Sequence, residues 1–274
     1  MRYQGNLILL TLFFSASLLR AQKTNSKTEE VTMPSKGICA HRGAMDTHPE
    51  NTLSAFKEAI RLGAQMIEFD VQLSKNNKLV IIHDTLVDRT TDGCGLVKDL
   101  RLNKIRRLDA GSWKSKEFAG EKIPTLKEVL RIMPQNIWLN IHLKGDKKLG
   151  RKTAKLIISE GRGHQAVIAC EKEAALGVST VNKDLMICNM ERLNSREDYI
   201  NETIQKEYAF IQLKKSRDDD FLKRNIQKLK KRNIRVNYFQ ADTKNEVSAL
   251  FESGVDFILT NHLSEMMNAL SKLN

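Results

Sequence analysis

Past residue 36 the chain alternates two kinds of segment. Short apolar runs rich in Ile, Val, Leu and Phe are separated by longer stretches in which apolar residues recur at helical spacing. The runs predict strands over 37–41, 66–73, 79–83, 137–144, 166–170, 185–189, 210–213, 234–239 and 257–260. Helical spacing appears over 52–62, 125–133, 147–160, 219–231 and 244–253. The link at 74–78 between the second and third runs is too short for a crossover helix and suits a turn. A Gly- and charge-rich stretch, 90–122, breaks the rhythm and reads as an insertion. Strands alternating with helices mean parallel β/α units, and about eight such units fit an α/β fold of the closed (β/α)8 TIM-barrel type. The open doubly wound sheet is the alternative, but no GxGxxG opens the first helix.

The first 21 residues stand apart from that pattern. Arg2 precedes the apolar run Leu7 to Leu19, Ala21 offers a small residue for cleavage, and a polar stretch follows at once. A membrane span needs about 20 apolar residues, so residues 1–21 read as a signal peptide. No cysteine follows the run, which argues against a lipid anchor. An exported protein, periplasmic or secreted, is therefore expected, with a polar leader at 22–36 and one barrel domain over 37–274.

Composition narrows the picture without choosing a function. The 274 residues are 41% hydrophobic and 28% charged, with 14 Gly and 4 Pro, which excludes collagen-like and disordered classes. Lys+Arg 45 against Asp+Glu 33 gives a net charge of +12, spread along the chain. Aromatics make up only 6%, so the stacking surface of a single-strand nucleic-acid binder is thinly supplied, and no nucleic-acid partner is expected. The basic runs 214–217 and 228–235 read as solvated helix faces that would draw the protein weakly to anionic membranes. Cys39, Cys170 and Cys188 sit in apolar runs and read as small buried thiols, and the cysteine spacings match neither a metal ribbon nor a CxxC pair.

In a barrel of this kind the reactive groups sit at the C-terminal strand ends. Those ends carry His41-Arg42, the pair Glu68 and Asp70, His83-Asp84, and Asn140, His142 and Lys144. Glu50 lies in the loop after the first strand. Alternation sends residues i and i+2 to one face, so Glu68 and Asp70 project together, as do Asn140, His142 and Lys144. Two carboxylates in one apolar-walled space repel each other and resist desolvation unless a cation sits between them. A divalent ion resolves that, with Glu50 in reach and His142 adding nitrogen, which favours Mn or Zn over Ca or Mg. His41 and His83 suit general acid and base, and Arg42 and Lys144 suit an anionic group. Together these describe phosphoryl transfer. His48 and His164 read as solvated, His262 has no assigned role, and Asp84 reads as orienting its neighbour.

At these residues the chain resembles the glycerophosphodiester phosphodiesterase family. The shared words are AHRG at 40–43, PENT at 49–52 followed by SAFKEAI, and GAQMIEFDVQLSKNNKLVIIHD at 63–84. DRTTDGCGLV at 88–97, LDAG at 108–111 and IPTLKEVL at 123–130 continue them in family order. The resemblance implies a metal-dependent TIM barrel with a small insertion after the His83-Asp84 strand. It also implies His41 and His83 as the catalytic pair, Glu68 and Asp70 as metal ligands, and Arg42 and Lys144 on the phosphate. Glu50 matches the acid of the loop word. The substrates implied are the deacylated headgroups of phospholipids: a glycerol hydroxyl attacks the phosphate, expels the alcohol, and leaves a cyclic phosphate for water to open.

Three positions depart from the family pattern. Asn140-Ile141-His142-Leu143-Lys144 replaces Asn-Ile-Glu-Ile-Lys, so imidazole stands for a carboxylate ligand. Phe239, on the substrate side, stands where tryptophan is expected, and Thr260-Asn261-His262-Leu263 replaces Thr-Asp-x-Pro. These departures leave room for another substrate, such as a sugar phosphodiester or a glycoside. A catalytically silent binding protein is the reading from a different class, and the intact His41, Arg42, Glu68, Asp70, His83 and Lys144 count against it.

Overall fold

This computed structural model describes Met1 and residues 31–272; the expected signal peptide after Met1, and the leader up to residue 30, lie outside the described residues. The strands are β1 (Gly37–Ala40), β2 (Met66–Leu73), β3 (Leu79–Ile81), β4 (Trp138–Leu143), β5 (Ala166–Cys170), β6 (Met186–Asn189), β7 (Phe210–Lys214), β8 (Arg235–Phe239) and β9 (Phe257–Thr260). The helices are α1 (Leu53–Arg61), α2 (Leu102–Ile105), α3 (Leu126–Ile132), α4 (Lys147–Ser159), α5 (Lys172–Ser179), α6 (Arg196–Gln205), α7 (Leu222–Lys230), α8 (Glu246–Ser253) and α9 (Leu263–Ser271).

All the strands except β3 pair in parallel, and β1 pairs with both β9 and β2, which closes the ring. The result is an eight-stranded (β/α)8 barrel. Its strands are buried on both faces, which is why they read as continuous apolar runs. Ile38, Ala40, Ile67, Phe69 and Ile141 pack outward with the helices, while Cys39, Met66, Val167 and Phe210 belong to a separate inner cluster. Trp138, Phe210 and Phe257 meet at ring distances of 5.9–6.4 Å, and the Arg235 guanidinium lies 5.2 Å over Trp138. This aromatic layer fills the barrel at the N-terminal ends of its strands.

β3 lies outside the ring. It runs antiparallel to the end of β2, with Val71 opposite Ile81 and Leu73 opposite Leu79. The 74–78 link is the expected turn: Ser74 N–H donates to Lys78 O at 3.0 Å, and Asn77 takes φ 57°. The insertion at 90–122 folds over β3 and owns a small core of Val80, Ile82, Val97, Leu100, Ile105 and Ile123. His83 therefore rides on this hairpin and insertion, not on a barrel strand.

Some expected elements differ. The runs 37–41 and 79–83 stop at Ala40 and Ile81, so His41 and His83 occupy turns, where side chains escape sheet alternation. Helices α5 and α6 carry only weak apolar periodicity. In α6, for example, Arg196–Gln205 buries only Tyr199 and Ile200 as large apolar residues. The basic runs are not simply helix faces. Lys214 ends β7, Lys215–Arg217 is a single 3-10 turn, and Arg217 donates to the carbonyls of Arg192 and Asn194. Arg235 belongs to β8 and stacks on Trp138. Among the described residues no helix is long and apolar enough to cross a membrane.

Candidate active site

Each letter of the first two sequence words has a job at the mouth of the barrel. Ala40 is the last, fully buried residue of β1. Arg42 then turns into the left-handed region at φ 53°, which aims its backbone N–H at Glu68 Oε2, 3.0 Å away. Gly43 follows at φ 80°, and a Cβ there would sit 2.8 Å from the Ala55 backbone, so only glycine lets β1 turn tightly against α1. Thr52 caps α1 by accepting from Ala55 N–H at 3.3 Å. Asn51 fastens this loop to β2: its Nδ2 donates to Asp70 Oδ2 at 3.0 Å and its Oδ1 accepts from Asp70 N–H at 3.2 Å.

Glu68, Asp70 and His142 converge. Each offers one ligand atom, and the three atoms lie within 4.8 Å of one another. His142 Nδ1 is 3.2 Å from Asp70 Oδ1 and 3.6 Å from Glu68 Oε1, as the parallel register of Asp70 with His142 dictates. Lys144 Nζ stands 3.3 Å from Asp70 Oδ1, and Arg42 Nε stands 3.5 Å from Asp70 Oδ2. Burial alone would raise the Asp70 pKa, but His142, Lys144 and Arg42 outweigh it and hold the carboxyl well below its usual range. For His142 burial opposes the charged form, yet its close contacts with the Asp70 and Glu68 carboxylates prevail and raise its pKa.

A divalent cation suits this donor set. Glu68 is 2% exposed and Asp70 is 0% exposed, and Asp70 Oδ1, although His142 Nδ1 and Lys144 Nζ lie 3.2 and 3.3 Å away, makes no well-formed hydrogen bond. A buried carboxylate oxygen with ion-pair contacts but no well-formed hydrogen bond, beside a second carboxylate and an imidazole, is an environment such an ion satisfies. Glu50 is placed elsewhere. Its Oε1 accepts from Arg42 at 2.8 Å, and Arg89 grips both its oxygens at 2.9 and 2.7 Å. Burial works against its ionisation, but these guanidinium bonds prevail and lower its pKa.

The two candidate proton-transfer groups are anchored through Nδ1. His41 Nδ1 meets Asn261 Oδ1 at 2.6 Å, while its Nε2 lies 3.9 Å from Glu68 Oε2. Burial dominates its titration and lowers its pKa, against the pull of Glu68. Phe239 packs on this ring at 4.9 Å. His83 Nδ1 meets Asp84 Oδ1 at 2.6 Å. Asp84 in turn accepts from Arg89 Nε at 2.6 Å, and that bond, with the His83 contact, draws its pKa down to about 2. Arg89 thus ties Asp84 to Glu50 across the mouth. It lay unassigned inside the DRTTDG word, and a cation following the His83-Asp84 strand was the signal available. Asp242, which holds Asn261, had no sequence signal. His48 is half-buried beside Phe118, whereas His164 and His262 are exposed and contribute nothing to the cluster.

Comparison with known proteins agrees with this geometry. A glycerophosphodiester phosphodiesterase of Caldanaerobacter subterraneus subsp. tengcongensis is 33% identical over 241 residues, covering 86% of this chain and 98% of that one. YhdW of Bacillus subtilis is 54% identical over 108 residues, 39% of this chain, and the match spans only 44% of its own length. Among solved structures, an Oleispira antarctica phosphodiesterase in complex with the product sn-glycerol-3-phosphate superposes with a TM-score of 0.76 at 26% identity, covering 86% of this chain and 96% of that one. A glycerophosphodiester phosphodiesterase from Agrobacterium tumefaciens gives 0.74 at 25% identity, with 85% and 99% covered. The profile of the glycerophosphoryl diester phosphodiesterase family matches residues 41–265, from the histidine that ends the first strand's word to the last helix, and the chain belongs to that family of phosphoric diester hydrolases.

Proposed function

We propose that this protein is an exported, metal-dependent hydrolase that splits glycerophosphodiesters into an alcohol and a glycerol phosphate. The observation that carries the reading is the meeting of Glu68, Asp70 and His142 with Lys144 and Arg42 beside the anchored His41, with His83 anchored on Asp84 and tied to the cluster through Arg89 and Glu50. The glycerol phosphate bound to the Oleispira relative supports the same product class here. Glu68, Asp70 and His142 would hold the ion, whose charge would offset that gathering on the phosphate oxygens. Arg42 and Lys144 bind those oxygens with charge-assisted hydrogen bonds. One imidazole takes the proton of the attacking glycerol hydroxyl, and the other gives a proton to the departing alcohol oxygen. Water then opens the cyclic phosphate with the two roles exchanged.

The deciding experiment is a panel of glycerophosphodiesters, sugar phosphodiesters and glycosides, assayed with EDTA and metal add-back. Hydrolysis of glycerophosphodiesters that EDTA abolishes is the expected result. Turnover of glycosides alone, or of nothing, overturns the proposal. An imidazole among the donors favours manganese or zinc, so either should restore activity better than calcium. His142→Glu should then shift the ranking toward calcium or magnesium. An unchanged ranking would place His142 against the substrate instead of the ion.

Export is part of the same proposal. Cleavage after Ala21 would leave a chain beginning at Gln22, which N-terminal sequencing of the exported protein reads directly. Recovery of an intact Met1 in the membrane fraction would defeat it.

A further inference from the structure

Asn261 stands where the family carries aspartate, immediately after β9, and its side chain bridges two groups. Its Nδ2 donates to Asp242 Oδ2 at 3.2 Å, and its Oδ1 faces His41 Nδ1 at 2.6 Å. Asp242, in the loop after β8, is itself fixed. Its Oδ1 accepts from the Asn261 N–H at 2.9 Å and from Thr260 Oγ1 at 2.8 Å.

An ionised carboxylate only accepts hydrogen bonds, so it dictates which end of a neighbouring amide faces it. With the amide turned over, Asn261 Oδ1 would confront Asp242 Oδ2, oxygen against oxygen. The observed orientation is therefore imposed, and it puts an acceptor against His41 Nδ1. That nitrogen must then carry the proton. A neutral imidazole has only one, so Nε2 keeps its lone pair. Nε2 is the nitrogen turned toward the carboxylate cluster, 3.9 Å from Glu68 Oε2.

We propose that Asp242 and Asn261 are positioning residues that lock His41 in its Nδ1–H tautomer and so present Nε2 to the substrate. The proposal rests on the phosphodiesterase reading for its purpose, but not for its geometry. It also explains how asparagine serves at 261: the Asp242 carboxylate behind the amide fixes which end faces His41. His83 is backed differently, by direct contact with the carboxylate of Asp84.

The test begins with nitrogen-15 NMR of histidine-labelled protein, with His41→Gln identifying the His41 resonances among the six histidines. In the wild-type enzyme without substrate, neutral His41 should be protonated on Nδ1. Asp242→Ala and Asn261→Leu should both lose that single tautomer. Each should lower kcat by about 10- to 100-fold, the usual cost of removing a group that orients a functional imidazole, with KM little changed. Asn261→Leu leaves the Asp242–Thr260 bond in place, so it reports even where Asp242→Ala disturbs the loop. The exchanged pair Asp242→Asn with Asn261→Asp restores a carboxylate at the ring and a donor behind it, and should recover both tautomer and kcat. A wild-type His41 protonated on Nε2 overturns the proposal. So do single variants that keep both the tautomer and kcat, or an exchanged pair that recovers neither. An Nδ1–H signal in a protein that turns over no glycerophosphodiester supports the lock and defeats the proposed function instead.

Discussion

His41→Ala and His83→Ala should each lower glycerophosphodiester turnover by about 10²–10⁴-fold, the range typical for losing a proton-transfer group. The folded state should survive both changes, because neither ring fills the barrel interior: His83 occupies a turn on the β3 hairpin, and His41 sits at the mouth with one face on Phe239. Metal binding should persist as well, since Glu68, Asp70 and His142 remain in place. Steady-state kinetics beside circular dichroism and metal titration separates loss of chemistry from loss of structure. Near-wild-type activity in either variant would remove that histidine from the reaction.

The largest expected effect on stability comes from Asp70→Ala. Asp70 is fully buried and holds three positively charged or chargeable neighbours, His142, Lys144 and Arg42, together with the Asn51 amide. Removing it takes the ion-pair partner from Lys144 and leaves Arg42 to Glu50 and His142 to Glu68 alone, and breaking a buried pair from one side costs about 3–5 kcal/mol. Urea unfolding of the metal-free protein at neutral pH should show that loss. The sign of its pH dependence follows from the lowered pKa of the folded carboxyl. A depressed folded-state pKa means stability that is present above the unfolded value, about 3.9, and lost as pH falls below it. The gap between wild type and Asp70→Ala should therefore narrow as pH drops below about 4. A gap that stayed constant or widened there would show that Asp70 stabilises the fold by something other than its charge.

The barrel and the carboxylate pair were legible in the sequence because they obey periodic rules. Parallel strands give unbroken apolar runs, and the i, i+2 spacing of Glu68 and Asp70 fixes their shared face whatever the surroundings. Glu50 shows where such reasoning stops. An acidic residue in a loop word can face an ion or an arginine, and the choice here turns on Arg89, which lies 39 residues along the chain, beyond the β2–β3 hairpin. Asp242 is further out of reach, since its partners Thr260 and Asn261 meet it across neighbouring strand ends. Periodicity finds elements and faces; it carries no information about which loop side chains meet.

The placement of β3 has a consequence for how this enzyme loses activity. His41 follows β1 of the closed ring, whereas His83 follows β3, a three-residue strand packed on the small core it shares with the insertion. Proteins open in cooperative units of unequal free energy, and a peripheral unit with its own modest core belongs to the low end of that range. The proposed catalytic pair is thus divided between the ring and a peripheral unit expected to open at lower free energy. On warming, inactivation should therefore run ahead of barrel unfolding, which activity assays beside circular dichroism would show. The same division lets changes in the insertion retune His83 while the ring, with Glu68, Asp70 and His142, stays untouched.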